Sequence, residues 1–414
     1  MTAGLRLLLL AGVASPLEPV SRRVALQRSG AAGAVLGEAS FGATAAGAAV
    51  PAGPGGPEGA GSSLASSQCF AVLPDSTLKM APKLEKRGSL ATVAAFKRSR
   101  AVFLGEHHNS LRDHVLQARI LEAARRSEPR RPMAVGLEAV QRQFQPVLDA
   151  YSAGEATLAD VERLTEWEKR WFWPFERYAP VFEAAKAADV RLLALNADSE
   201  DLALVEAGGL KALPKATLAT YVPSGPVFRD FANTTAFKEY VSYVIVPSYQ
   251  SHKDMGILKQ TITGKRLDED MSFQNFYSGR MLWDNSMATV AGTWVRDHPK
   301  GLLFGIIGAD HVKFGGGVPN RMADAAGLDL DDVTTVVLNP SVVDTAGPQL
   351  ARLQSDEDQI PLTLQIRFAA AEGDGGIPVV GGDAKVDTLA AANRKQTRAG
   401  SRVLPFADFL WLSA

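Results

Sequence analysis

The sequence predicts an α/β protein in which a mostly parallel, doubly wound sheet carries an inserted helical cap subdomain. Two observations predict the sheet: short apolar runs of strand length alternate with helical patterns before residue 200, and a similar run returns at Gly301–Ile307. A third observation predicts the cap, because the residues between Glu200 and Asp297 contain no run typical of a buried strand. Strands that alternate with helices are typical of doubly wound sheets.

The first part of the sheet is predicted to be one parallel β-α-β unit. Ala101–Leu104 is an apolar run of strand length, and Gly105 interrupts it. Ser110 with Asp113 three residues later is a capping signal that starts a helix. Met133–Leu137 then forms a second apolar run, so the order is strand, loop, helix, strand.

Five further runs are predicted to be strands, and the last two are expected at the margin of the sheet. They are Val190–Leu195, Gly301–Ile307, Asp332–Leu338, Leu362–Phe368 and Phe409–Leu412. The segment Leu64–Ser89 shows no firm period and is predicted to be irregular.

The chain is predicted to divide into three parts. Residues 1–60 are a targeting leader and linker, residues 90–200 and 298–414 form the α/β core, and residues 201–297 form the helical cap insertion. The long amphipathic pattern of Met271–Asp297 supports a helical cap over the sheet edge. Two or more sheet strands within this segment would contradict the prediction.

Polar residues follow the predicted strands where an open α/β sheet places its ligands. Glu106 and His108 follow the first strand, Glu138 follows the second, His311 follows Gly301–Ile307, and His114 lies in the first helical turn. Imidazoles and carboxylates that converge can bind a divalent metal or perform general acid–base catalysis.

We therefore predict that the side chains of Glu106, His108, Glu138 and His311 lie within roughly 10 Å of one another at the carboxyl edge of one sheet. These four are the candidate catalytic residues, and the same four with His114 are the candidate metal ligands. The alternative is an ordinary helix start with polar caps and a surface histidine, which explains the capping residues but not two glutamates and two histidines.

Composition excludes several classes of protein. The chain has 44 basic and 45 acidic residues, a net charge of −1, so no overall basic field favours nucleic-acid binding. The single cysteine, Cys69, excludes an internal disulfide framework and is expected to be a loop or core thiol. No apolar run reaches the length of a membrane span.

The first sixty residues have the pattern of an export signal. Arg22-Arg23 precedes a weakly apolar stretch and the small residues Ala46–Ala48, which is typical of a twin-arginine signal. About twenty residues precede the pair, which favours a plastid transit segment followed by a signal for the thylakoid lumen. The alternatives are a bacterial periplasm, or a low-complexity tail in which two arginines fall together by chance. Pro51–Ser63 has the composition of a flexible linker.

From Leu90 to Ala414 the chain resembles the ChaN-like haem-binding uptake family, which is grouped with the Tiki, TraB and erythromycin-esterase proteins. Several motifs carry the resemblance in the same order. They are VFLGEHHNSLRDH, the triplet Gly136-Leu137-Glu138, the stretch WFWPFERYAPVFEAAKAADVRLLALNAD, the residues Leu282-Trp283-Asp284 with Met287-Ala288, GADHVKFGGGVPNRM, and the terminal ADFLWL. Where some family members have two adjacent histidines, this chain has Asp113-His114.

The resemblance implies an α/β core with a helical subdomain, and haem or another small molecule as the ligand. It also implies a haem site at a homodimer interface with a tyrosine as iron ligand, for which Tyr151 and Tyr178 are the candidates. The first hypothesis is therefore a haem-binding or iron-handling protein with a Glu/His site at the carboxyl ends of the strands.

Two other hypotheses stay open. Related branches imply a metal-dependent hydrolase in which the same Glu and His positions bind a divalent ion and activate water. A third reading is a lumenal scaffold that has lost its chemistry, and the retained glutamates and histidines count against it. These alternatives leave open whether the protein is an enzyme.

Overall fold

The computed structural model describes residues 64–73, 84–340, 363–364, 386–387 and 406–413. Eight strands form its main sheet. They are β1 Gln68–Val72, β2 Leu84–Arg87, β3 Ala101–Glu106, β4 Met133–Gln141, β5 Arg191–Asn196, β6 Leu302–Gly308, β7 Val333–Leu338 and β8 Phe409–Leu412.

The order across the sheet is β2-β1-β8-β7-β3-β6-β4-β5. The strands from β8 to β5 pair in parallel, whereas β1 pairs antiparallel with both β8 and β2. The chain leaves β3 in the middle of the sheet and adds strands on both sides of it, as a doubly wound sheet does.

Helices connect the strands and cover the sheet. They are α1 Ser89–Ala95, α2 Leu111–Ser127, α3 Gln145–Ala153, α4 Leu158–Leu164, α5 Trp167–Arg170, α6 Phe175–Ala187, α7 Ser199–Gly208, α8 Lys215–Tyr221, α9 Gly225–Ala232, α10 Thr235–Tyr240, α11 Val246–Asp254, α12 Phe273–Asp297, α13 Ala309–Val312 and α14 Val318–Ala326. A π-helical turn, Val241–Ile245, joins α10 to α11.

The two faces of the sheet bury different residues because successive side chains of a strand point to opposite sides. Val102 and Leu104 of β3 belong to a core with α2 and α6, whereas Ala101 and Phe103 belong to a core with α12 and α14. The predicted fold class, a mostly parallel α/β sheet with helices on both faces, is therefore confirmed.

Most predicted strands of the core are present with bounds shifted by at most four residues. The expectation that Phe409–Leu412 lies at the margin is wrong, because this strand pairs with β1 on one side and β7 on the other. The prediction for Leu64–Ser89 is wrong, because this segment contains β1 and β2. These strands are short, and all four residues of β2 are exposed, so an edge strand of this kind has no apolar pattern to detect. Cys69 is a buried thiol on β1.

The predicted strand Leu362–Phe368 falls mostly outside the described residues. Its described part, Thr363–Leu364, pairs antiparallel with Val386–Asp387 in a separate two-stranded sheet. The leader, residues 1–60, also lies outside the described residues.

Residues 201–297, whose backbone is described throughout, are helical apart from loops and one isolated bridge between Gln260 and Arg266. The helix α12 belongs to two layers. Tyr277 and Met281 at its start join a core that this segment shares with strand residues such as Val337 and Leu410, whereas Met287 and Ala291 belong to the core on the face of Ala101 and Phe103. The helical content agrees with the expectation for a cap, and the division into domains stays a prediction. No helix among the described residues has the length and apolar character needed to span a bilayer.

Candidate functional site

Glu106, the last residue of β3, is the centre of a buried cluster of polar side chains. Its Oε1 atom accepts a hydrogen bond of 2.8 Å from the Tyr178 hydroxyl and lies 2.9 Å from Nδ1 of His108. Its Oε2 atom accepts one of 2.8 Å from Nε2 of Gln117 and lies 3.2 Å from Nε2 of His114. The carboxylate is 1% exposed, so these side chains replace its water.

Glu138 and His311 form a second buried pair beside the first. Oε1 of Glu138 lies 3.0 Å from Nε2 of His311, and Oε2 accepts a 2.6 Å hydrogen bond from the backbone N–H of Gly308. Nδ1 of His311 lies 2.5 Å from Oδ1 of Asp284 on α12. The Tyr240 hydroxyl donates to the other oxygen of Asp284 at 3.0 Å.

One contact joins the two pairs, since Nε2 of His108 lies 3.9 Å from Oε2 of Glu138. Carboxylates and imidazoles therefore alternate in one continuous buried row, which we call the acid–imidazole chain. Its members are Asp284, His311, Glu138, His108, Glu106 and His114. The structure thus brings together every residue for which the sequence predicted a catalytic or metal-binding role.

The alternation controls the charge of each group. Burial alone would raise the pKa of Glu138, but His311 and His108 lower it to about 2. Burial likewise acts to raise the pKa of Glu106, and His114 and His108 bring it well below its ordinary range. Burial and Arg280 act to lower the pKa of His311, but Glu138 and Asp284 raise it overall. The carboxylates are therefore ionised at neutral pH, and His311 is stabilised in its protonated form.

Gly308 at the end of β6 leaves room for the contact between the two pairs. A Cβ atom added there would lie 2.7 Å from Nε2 of His108, which is closer than carbon and nitrogen can approach. Glycine is therefore required at this strand end for the imidazole to reach Glu138.

A short aromatic segment after α5 covers the acid–imidazole chain at His108. The His108 ring lies 5.0 Å from the ring of Trp171 and 4.4 Å from that of Trp173. Arg170 fixes the base of this segment, because its Nη1 atom donates to Gln141 at 2.9 Å and to Ser199 at 2.8 Å. Trp171 and Trp173 open the WFWPFERYAP stretch that carries the family resemblance, but the sequence did not place them beside His108, and it did not single out Arg170.

The sequence marks Asp284 only as part of a family signature, and its contact with His311 is visible only in the structure. The two residues are 27 positions apart and lie on different elements, α12 and α13. The motif Leu282-Trp283-Asp284 was the signal that could have pointed to it.

The two candidate tyrosines lie in different places. Tyr178 is 1% exposed and its hydroxyl binds Glu106, whose charge acts with burial to raise its pKa well above the ordinary value. Tyr151 is not in the acid–imidazole chain: it is 3% exposed on α3, with its ring against Phe182 and below the ammonium of Lys186. Both phenols are thus held protonated in the core, whereas an iron ligand is a deprotonated, accessible phenolate.

The oxygen and nitrogen atoms of the acid–imidazole chain that could bind a metal contact one another and do not surround a common point. In the described part of the chain, no group of three or more His, Cys, Asp and Glu side chains is arranged to hold one metal ion. Binding a divalent ion at the predicted ligands Glu106, His108, His114, Glu138 and His311 would require these pairs to separate.

A half-buried stripe on α12 leads away from His311. Phe276, Arg280 and Trp283 are spaced by four and three residues, so they lie on one face of the helix. The Trp283 ring lies 5.7 Å from the His311 ring, and the Phe276 ring lies 5.2 Å from the ring of His252 on α11. The stripe therefore connects the acid–imidazole chain to a histidine outside it, His252.

Comparison with known structures finds distant similarities. Campylobacter jejuni ChaN with cofacially bound haem shares 14% identity at a TM-score of 0.47, covering 68% of this chain and 94% of that chain. An erythromycin esterase mutant in its open conformation shares 13% at 0.36, covering 83% and 97%. A Bacillus cereus protein shares 12% at 0.33, covering 83% and 94%. No protein with curated annotation matches the chain.

The sequence model described as haem-binding uptake, Tiki superfamily, ChaN matches residues 92–322. This range contains the whole acid–imidazole chain and the strands from β3 to β6. Because the match spans more than half of the 414 residues, the chain belongs to the ChaN-like haem-binding uptake family of the Tiki superfamily.

Proposed function

We propose that this protein binds haem and acts in haem or iron handling, with the acid–imidazole chain at the polar end of the ligand site. The observation that carries the proposal is the family match over residues 92–322, which includes every member of that chain. Bound haem would supply an iron centre with open axial positions.

Two groups of residues would have different parts in binding such a ligand. The acid–imidazole chain is buried and internally paired, so it cannot itself accept a planar macrocycle. The stripe of Phe276, Arg280 and Trp283 is half-buried and offers aromatic surface with one positive charge. A haem needs both features, because its ring is apolar and its propionates are anionic. The aromatic rings of the stripe would suit the apolar ring of haem, and the charge of Arg280 would suit a propionate.

The acid–imidazole chain would keep His311 protonated and fix the orientation of its ring next to the ligand. Its carboxylates Glu138 and Asp284 flank His311 and stabilise its protonated form. Through Trp283, His311 borders the stripe, so its orientation bears on whatever binds there. We propose that the acid–imidazole chain fixes the orientation of Trp283 through His311 and excludes water from this side of the site.

The alternative function is a metal-dependent hydrolase that uses the same five Glu and His side chains. It would need the carboxylate–imidazole pairs to open towards a common ion, as described above. The two functions predict different cofactors, haem or a divalent metal ion. Analysis of both in one protein preparation therefore distinguishes the two functions.

The test is titration of the purified protein with haemin, followed by absorption spectroscopy, with metal analysis of the same preparation. We expect a saturable Soret band that differs from that of free haemin. The titration should saturate at about one haem per protein chain, or about one per homodimer interface if two chains share a haem. A protein that leaves the haemin spectrum unchanged and retains a stoichiometric divalent metal would refute haem binding and support the hydrolase. Light scattering with and without haemin would test the expected homodimer.

We also propose that the protein functions in the thylakoid lumen of a plastid. The support is the order of the leader: about twenty residues, then Arg22-Arg23, a weakly apolar stretch and small residues. Replacing both arginines by lysine should leave the precursor unprocessed outside the thylakoid, while the mature part still folds. Normal import and processing of the double-lysine variant would remove this assignment.

A further inference from the structure

Three loops at the amino ends of the central strands are rich in lysine and arginine. Residues 96–100 precede β3, residues 128–132 precede β4, and residues 298–301 precede β6. Because β6 lies between β3 and β4 and the three strands are parallel, these loops meet at one edge of the sheet. Together they contain six lysine and arginine side chains and one carboxylate. We call them the basic loops.

Arg131 joins the three basic loops to one another. Its Nη2 atom donates to the Ser99 carbonyl at 2.5 Å and to the Gly301 carbonyl at 3.0 Å, and its Nε atom donates to the Lys300 carbonyl at 3.0 Å. Its Nη1 atom pairs with Glu128 at 2.8 Å. The loop backbones are therefore fixed relative to one another, and the one carboxylate of the basic loops already has a partner.

The remaining charges of the basic loops face solvent. Lys97, Arg98, Arg130 and Lys300 are exposed, and none of them forms an ion pair with a carboxylate of the described residues. Unpaired charges of one sign on fixed loops concentrate a positive potential at this edge. Acidic residues before β7 bound the positive region on one side, and they are Asp329, Asp331 and Asp332.

Helix dipoles explain only part of the basic charge at this edge. The helices α2 and α12 end here, and Arg126 and Arg296 in their last turns offset the partial negative charge of those ends. Each of these arginines also pairs with a carboxylate on its own helix. The four unpaired side chains end no long helix, since two lie in loops and two lie in the single 3₁₀ turn Phe96–Arg98.

The basic loops lie at the opposite end of the sheet from the acid–imidazole chain. β3 begins at Ala101, directly after the first basic loop, and its 6 residues end at Glu106. A strand of this length spans roughly 20 Å. A partner bound to the basic loops would therefore leave the proposed haem site free.

The surroundings of these charges favour anionic lipid headgroups over nucleic acid. The phenylalanine of the basic loops, Phe96, is buried, and the loops contain no tyrosine or tryptophan on which a base could stack. The helices α2 and α12 end at this edge and do not lie across it, so neither could lie in a major groove. An anionic membrane surface requires only clustered positive charge.

We infer that the basic loops dock the protein on a membrane surface that contains anionic lipids. In this orientation the central strands point away from the membrane, and the edge with the acid–imidazole chain faces the aqueous phase. The inference does not depend on haem binding, because it rests on charges at the other end of the sheet.

The test is sedimentation of the full chain with vesicles of phosphatidylcholine, alone or with about one-third phosphatidylglycerol. We expect binding to the anionic vesicles and not to the neutral ones, and weaker binding as salt rises from about 0.1 M to about 0.5 M, because salt screens the attraction. The triple variant Lys97→Gln/Arg130→Gln/Lys300→Gln should bind on the order of a hundredfold more weakly, since each charge near an anionic surface contributes about fivefold.

The matched control is Lys211→Gln/Lys215→Gln/Lys253→Gln, which removes the same net charge from exposed side chains between β5 and β6. It should bind like the wild type, and circular dichroism of both variants checks that they are folded. Three outcomes would overturn the inference: a wild type that does not bind anionic vesicles, a loop variant that binds them as well as the wild type, or an equal loss in the control. Binding to a DNA duplex without binding to anionic vesicles would also overturn it and would identify a nucleic acid as the partner.

Discussion

Replacing Glu138 by glutamine should show how much the acid–imidazole chain contributes to stability and at which pH. In the folded protein His311 and His108 hold the pKa of Glu138 at about 2, against an ordinary value of 4.5, despite its burial. This difference corresponds to about 3 kcal/mol of stabilisation at pH 7. Glutamine keeps the shape and can still accept from Gly308, but it removes the charge that faces the imidazoles.

The pH dependence follows from the lowered pKa. The contribution is fully present above the unfolded pKa, and it disappears as pH falls from about 4.5 towards 2. About half of it should be lost near pH 3. The free energy of unfolding, measured by urea denaturation, should therefore be lower for Glu138→Gln by about 3 kcal/mol at pH 7, and the difference should shrink in acid.

Glu122→Gln is the matched control, because the same chemical change is made at a surface pair. Glu122 lies 3.8 Å from Arg126 on α2, with both side chains well exposed. Its replacement should change the free energy of unfolding by less than about 0.5 kcal/mol. The reasoning would be refuted if Glu138→Gln were as mild as this control at pH 7, or if its effect were the same at pH 7 and pH 3.

Three further substitutions test the site and the helical segment beside it by urea denaturation and fluorescence. Gly308→Ala should lower the free energy of unfolding by about 1–3 kcal/mol, since its new methyl group would displace His108, and a neutral result would contradict the close contact. Arg170→Gln should release the segment that begins at Trp171, which increased acrylamide quenching of tryptophan fluorescence would reveal. Arg321→Met should lower the free energy of unfolding by less than about 1 kcal/mol or even raise it, because two nitrogens of this buried guanidinium have no hydrogen-bond partner among the described residues; a loss above about 3 kcal/mol would show that its aromatic contacts dominate.

The sheet could be predicted where its strands are buried on both faces. The strands β3, β4, β5, β6 and β7 read as continuous apolar runs, because helices cover both sides of a parallel sheet. The two strands at one end of the sheet, β1 and β2, could not be predicted in this way. Their pairing with each other and with β8 depends on hydrogen bonds between segments far apart in the sequence, not on a local apolar pattern.

The location of the site could also be predicted, but its partners could not. Glu106 and His311 follow strands that are neighbours in the sheet, so the rule for strand ends brings them to one edge. The rule does not say that the donors would pair with one another. Only the packing of α6 places the Tyr178 hydroxyl on Glu106, and only the packing of α12 places Asp284 on His311.

The sequence by itself therefore determined the class of the fold, the chain's family and the edge of the sheet where polar side chains meet, because strand length, apolar runs and motif order are local properties. The tertiary structure decided which groups are charged and which side chains contact one another. Glu138 illustrates the difference: its place at a strand end is visible in the sequence, but its contacts with His311, His108 and the Gly308 backbone, which lower its pKa, exist only in the folded protein. Protonation and ligand access depend on burial and on neighbours across the fold, and these exist only once the chain has packed.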